Sequence, residues 1–141
     1  MVQKIEPLSA EDSLRVEKHR QWVQSFFDVH GASYATVEDK LGLIGAILNS
    51  GSIGAEETWK LQSLGIVFGD ALAQEQGLIW VAVEDESGRD PALSVPGTSL
   101  LSFPLTSISK RAGRGEEVDV FLLFEAACQT ILDLKQKYKA H

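Results

Sequence analysis

The feature that most constrains this fold is a change of period at Gln76-Gly77. Before it, apolar residues recur every three or four positions, the spacing of a helix with one buried stripe. After it, Leu78-Ile79-Trp80-Val81-Ala82-Val83 is β-branched, aromatic and apolar on both alternating faces. That is the pattern of a well-buried strand. The change predicts an α+β domain: a three-stranded antiparallel meander packed by helices, in the order ααα-βββ-αα.

Three helices are expected before the change. Ser9-Ala10-Glu11-Asp12 offers a serine cap followed by acids, which the positive end of a helix favours. Leu14, Lys18, Trp22 and Phe26 then share one stripe, widened by Val16, Val23 and Phe27, and His30-Gly31 is the expected stop. Thr36-Val37-Glu38-Asp39 repeats the capping pattern and opens a second helix, with Leu41, Ile44 and Leu48 on one face and Asn49-Ser50-Gly51 as its end. Residues 55–76 read as a third, with Leu61, Leu64, Phe68 and Leu72 toward the core. Gly65 and Gly69 lie inside it. Each glycine costs about 1 kcal/mol in a helix interior, so a close approach by another element is expected there.

The strand from Leu78 is predicted to reverse at Glu86-Ser87-Gly88-Arg89, with Gly88 suited to a left-handed backbone. Pro91 to Val95 returns, Pro96-Gly97 turns, and Thr98 to Phe103 forms the third strand, stopped by Pro104. Pro91 lacks a donor and belongs at a strand start or edge. Leu105 to Lys110 is expected to be a short helix or turn, and Arg111 to Gly115 a loop. Glu116 to Lys139 reads as the last helix, acids first and lysines last, with Phe121, Phe124, Cys128 and Ile131 on its apolar face, broadened by Val120, Ala127 and Leu134.

With 141 residues this is one expected domain. Cys128 is the only cysteine, which excludes an intramolecular disulfide and makes a reducing compartment, the cytoplasm, the expectation. Met1 to Pro7 shows neither an apolar segment nor a cleavage site, so no signal peptide is expected. No apolar run approaches the roughly 20 residues of a membrane span, so no membrane association is expected. The net charge is −7, and residues 61–109 hold six acids against one base, Arg89. Such a balance repels phosphate backbones and argues against nucleic acid as a partner.

The densest polar cluster is Glu84-Asp85-Glu86-Ser87-Gly88-Arg89-Asp90. Its first reading is a hairpin with internal salt bridges, Arg89 neutralising Asp85 or Glu84. Its second is a partner-binding tip. A metal or acid–base site is third, because Glu84 and Glu86 share one strand face while Asp85 opposes them. The local basic cluster is Lys110, Arg111 and Arg114, read first as cations closing a short helix. His19, between Lys18 and Arg20, reads as solvated, His30 as a helix end and His141 as a chain end. Cys128 has apolar neighbours and reads as a buried, inert thiol. Trp59 stands out among the tryptophans, near a helix start beside Glu56, Glu57 and Lys60. No metal ligand set, cofactor motif, nucleophile elbow or phosphate loop is present in the sequence, so no cofactor is expected.

Several short motifs occur together: Leu64-Gly65, Phe68-Gly69-Asp70, Gly77-Leu78-Ile79-Trp80-Val81, Glu84-Asp85-Glu86, Gly88-Arg89-Asp90, Phe103-Pro104-Leu105 and Ile108-Ser109-Lys110-Arg111. Their combination, over roughly residues 55–125, resembles a bacterial domain-of-unknown-function family. That family has no assigned activity, so the resemblance implies no catalytic residue. It does favour taking residues 84–90 and Lys110-Arg111 as one composite feature. On this reading the chain divides into an N-terminal helical pair (1–54), a family-like core (55–125) and a C-terminal helix (116–139), all within one domain.

Three functions follow as expectations. The first is a non-enzymatic binding domain for another protein, immunity-like or chaperone-like by analogy of size and charge. The second is a small-ligand binder or enzyme with a polar pocket between Glu84–Asp90 and Lys110-Arg111, in which Arg89, Lys110 and Arg111 grip an anion and Asp85 or Glu84 acts as base. The third is a homo-oligomer joined through apolar helix faces.

Overall fold

A computed structural model describes residues 3–26 and 34–139 of the chain. The elements are β1 (Lys4–Pro7), α1 (Ala10–Gln24), α2 (Val37–Asn49), α3 (Thr58–Gln76), β2 (Ile79–Asp85), β3 (Gly88–Ser94), β4 (Leu101–Ser102), a 3-10 turn at Pro104–Thr106, α4 (Ser109–Gly113) and α5 (Val120–Lys139). The class is α+β, as expected. The sheet is antiparallel throughout, in the order β1-β2-β3-β4. The expected meander is present as β2-β3-β4, with β1 added to its β2 edge. Lys4 to Pro7 is too short to announce a strand by pattern. It becomes one because β2 supplies its ladder, with Ile5 opposite Val83 and Pro7 opposite Val81. The expected stop at His30-Gly31, Phe27 and His141 lie outside the described residues.

Local chemistry sets the helix starts. The Ser9 hydroxyl accepts the Asp12 N–H at 3.1 Å, and the Asp12 carboxylate accepts the Ser9 N–H at 2.8 Å. Thr36 and Asp39 repeat this reciprocal pair at 3.0 and 3.2 Å. The last helix begins at Val120, later than expected, because the Asp119 carboxylate accepts the N–H groups of Phe121 and Leu122 and ends the loop there. Glu116 and Glu117 precede it. β4 is shorter than Thr98 to Phe103. The Thr98 hydroxyl donates to the Val95 carbonyl at 2.8 Å and accepts the Leu100 N–H at 3.0 Å, which holds those residues in a turn. β3 starts early, at Gly88, so Pro91 falls within it. β4 pairs only with Leu93 and Ser94, leaving β3 an open edge beside Pro91, the setting proline tolerates.

α3 is the central helix. Leu61, Leu64, Phe68 and Leu72 are all buried. The two glycines admit close neighbours, as their cost requires. A Cβ at Gly65 would sit 2.6 Å from the carbonyl oxygens of Pro104 and Leu105, and one at Gly69 would sit 2.5 Å from the Trp80 ring. α5 buries Val120, Phe124 and Ile131 but turns Phe121 out, 49% exposed. α1 differs most from expectation. Leu14 is 57% exposed, and the buried residues are Val16, His19 and Val23. Among the described residues, no helix is long and apolar enough to cross a membrane.

Candidate functional site

The acidic hairpin turns through Glu86 and Ser87, with Asp85 opposite Gly88 and Glu84 opposite Arg89. The Asp85 carboxylate accepts the Ser87 N–H at 2.8 Å and so closes the turn. Gly88 has φ 129°, a value side chains rarely allow.

Arg89 takes its partners from outside the hairpin. Its Nε and Nη2 donate to the Asp12 carboxylate, Nη2 at 2.7 Å, and its Nη1 donates to Glu6 at 2.7 Å. Glu84 stands at 3.8 Å, the margin of an ion pair. The expected pairing with Glu84 is thus present at long range, while the closer partners of Arg89 come from α1 and β1, two elements far off in sequence. The Arg89 guanidinium, with help from Ser9, holds the Asp12 carboxyl well below the usual carboxylate range. Arg89 and then Lys4 lower Glu6 as well. Arg15 completes the cluster, donating to the Arg89 carbonyl at 3.0 Å and to Asp90 at 3.2 Å.

Lys110 and Arg111 are exposed on α4. Arg111 donates to the Ser107 carbonyl at 2.8 Å, within its own segment. The hydrogen bonds and ion pairs of Glu84, Asp85, Arg89 and Asp90 do not reach this segment. None of those residues forms a group of three or more side chains suited to a metal ion.

A second polar centre lies between α1, α3 and β2. The Asp70 carboxylate accepts Arg20 Nε at 2.7 Å and Nη2 at 2.8 Å, Trp80 Nε1 at 3.0 Å, and the Tyr34 hydroxyl. Each oxygen thus receives two donors, which leaves no lone pair suited to taking a substrate proton. Burial first, then Asp70, pushes the Tyr34 hydroxyl above its ordinary range. Next to it the Lys40 ammonium is buried, donating to the Tyr34 carbonyl at 2.8 Å and to Gln74 at 2.6 Å. Burial lowers that amine. The centre is an anchor that holds α1 and residues 34–35 against α3. Its sequence signal is Asp70 itself, the one acid between Leu61 and Leu72 on a helix with ten buried positions.

His19 is 1% exposed, which corrects its reading as a solvated residue. His19 Nδ1 and the Ser63 hydroxyl share a 2.7 Å hydrogen bond, and the same hydroxyl lies 2.9 Å from the Trp59 carbonyl. The imidazole stacks on Trp59 at 4.5 Å, and Trp59 remains 46% exposed. Burial, then Arg15, lowers His19 to about 4, so the ring is neutral near pH 7. Cys128 is half-buried, and burial raises its thiol.

A crystal structure of a protein from Bacteroides thetaiotaomicron VPI-5482 shares this fold, with a TM-score of 0.77 and 18% identity. The likeness covers 90% of this chain and 47% of that one, so this chain spans about half of its structural relative. A comparison with the curated proteins finds no match. A family model matches residues 40–124. The match reaches further back than the resemblance at 55–125 and takes in most of α2. It holds the hairpin, Asp70, Trp80 and Lys110-Arg111, while Glu6, Asp12 and Arg20 precede it. With more than half of its length matched, the chain belongs to the family described as a domain of unknown function (DUF3806).

Proposed function

We propose that this domain is a non-enzymatic protein-binding module, immunity-like or chaperone-like, that presents its acidic hairpin to a basic partner. The observation that carries the reading is the position of Arg89. The one cation within residues 61–109 is drawn away to Asp12 and Glu6. Asp85 fixes the turn, which holds the acidic tip on a defined backbone. A fixed patch of one sign steers a partner of the other and sets its register. The alternative, a ligand pocket or enzyme site between the hairpin and Lys110-Arg111, needs Arg89 to face that segment, and Arg89 is committed elsewhere.

The test is affinity capture from native-cell lysate by the tagged full chain, at about 50 and 300 mM salt, a range over which screening changes appreciably. The control is Asp85→Asn with Glu86→Lys, which keeps an acceptor at the turn while reversing local charge. A specific partner held at low salt and lost by the control supports the proposal. No partner at either salt, or equal capture by the control, defeats it.

A further inference from the structure

Side chains alternate across a strand, so Ile79, Val81, Val83 and Asp85 share one face of β2 while Trp80, Ala82 and Glu84 share the other. Trp80 and its cross-strand neighbour Leu93 turn toward α3 and the main core. On the opposite face Val81, Val83 and Ala92 form a separate cluster, joined by Leu101 and, among the described residues, by no residue of a helix. β1 adds Ile5 beside Val83 and Pro7 beside Val81. Ile79 is 50% exposed, Ile5 is 40% exposed, and Pro7 is exposed between them. From Ile79 to Val83 this apolar row spans roughly 13 Å, at ~3.3 Å per strand residue. An antiparallel sheet face that meets only water ordinarily carries polar residues at alternate positions, yet β2 is apolar on both faces from Ile79 to Val83. At the hairpin end the same face turns acidic, with Asp85 next after Val83 and Asp90 opposite Val83. Arg15 reaches one Asp90 oxygen from α1, and no strand position on this face is itself a lysine or an arginine.

We propose that this outer face docks an amphipathic basic helix of the partner, its apolar stripe on Ile5, Pro7 and Ile79 and its lysines or arginines on Asp85 and Asp90. The inference rests on the acidic-hairpin reading above and deepens it by naming the element that binds. A helix satisfies its own backbone and so can cover a sheet face without using a strand edge. The row is long enough for roughly two turns of it. Charge selects its composition. A second copy would bring the same acids to a face whose strands hold no cation, and an anionic membrane would be repelled by them.

Fluorescence anisotropy with the full chain tests the idea. The probes are a fluorescein-labelled Leu/Lys peptide of about five turns patterned as an amphipathic helix, a scrambled peptide of the same composition, a Lys/Gln peptide of the same charge, and a Leu/Glu peptide. The expected result is saturable binding of the patterned Leu/Lys peptide, about tenfold or more tighter than the other three. Ile5→Thr with Ile79→Thr, which keeps β-branched residues in both strands, should weaken it about tenfold. The hairpin variant used above should weaken it by a similar factor. If circular dichroism shows that the double isoleucine variant is unfolded, Ile79→Thr alone carries the test, with a loss of about threefold. Equal binding of the Lys/Gln peptide, with indifference to the isoleucine substitutions, overturns this inference and leaves the hairpin reading standing. Binding that needs the isoleucines and ignores the hairpin variant overturns it and counts against the hairpin reading as well. The inference also fails if the patterned peptide does not bind, or if the isoleucine substitutions abolish a dimer in light scattering or co-sedimentation with phosphatidylserine vesicles.

Discussion

Arg20 and Arg89 both present Nε and Nη2 to one aspartate, and both tie the N-terminal stretch to the family-matched core. The side chains differ only modestly in exposure, Asp70 at 10% and Asp12 at 17%. Their company differs more. Asp70 also receives two neutral donors, Tyr34 and Trp80, while Arg20 keeps its Nη1 for Glu17 at 2.6 Å. Arg89 divides its guanidinium between Asp12 and Glu6, with Glu84 close by, so its cluster stays net negative and faces water. The same bidentate chemistry thus makes a core anchor in one place and an ion-sensitive fastener in the other. Burying a saturated pair makes it costly to break, while exposure makes it cheap and screenable.

The comparison breaks most readily at Asp70. Asp70→Ala leaves Arg20 Nε and Nη2, the Tyr34 hydroxyl and the Trp80 N–H without their acceptor, while Arg20 Nη1 keeps Glu17. The expected loss is about 3 kcal/mol or more in urea unfolding, nearly independent of salt. A small or strongly salt-dependent loss would put Arg20 in the same class as Arg89.

His19 sharpens the picture through pH. Its folded value of about 4 lies below the ordinary 6.5, so the unfolded chain binds the extra proton between those values. Stability from this site is complete above pH 6.5 and falls as pH drops toward 4, by a total of order 3 kcal/mol. His19→Gln should flatten that part of the profile in thermal unfolding from pH 7 to 4.5. An unchanged slope would mean that the imidazole is not held neutral by burial.

The smallest effect belongs to Arg89. Arg89→Gln should lower Tm by a few degrees at low salt and by almost nothing at high salt. The gap should also close in acid. Glu6 and Asp12 have folded values below the ordinary 4.5 and 3.8, so their contribution is complete above those values and is lost as pH falls through the lowered ones. A loss that persists in high salt would show that Arg89 serves packing more than charge.

Much of the fold was legible from neighbouring residues alone. Ser9 with Asp12 and Thr36 with Asp39 announce two helix starts. Leu61, Leu64, Phe68 and Leu72 announce the buried face of α3, and Gly65 with Gly69 announce a close approach. The hairpin was legible through its acids and Gly88. The candidate site was legible only as an address: its turn was located, while the partners of Arg89 were not. The α1 stripe was legible only in part: Val16 and Val23, expected on its flank, are buried and Trp22 packs against the core, while Leu14 and Phe26 are exposed. The face that turned inward is the one that brings His19 to Ser63, next to Arg20 on Asp70.

By itself, then, the sequence determined caps, turns, the switch from helical to strand period, and where small residues were needed. Those outcomes depend on sterics and hydrogen bonds within about four residues. Only the tertiary structure decided that Lys4 to Pro7 becomes a strand, which side of α1 is buried, that Asp70 gathers four donors, and which carboxylates claim Arg89. Each of those pairs groups far apart in the chain. Their energies exist only once the helices have packed on α3 and brought the groups within bonding distance.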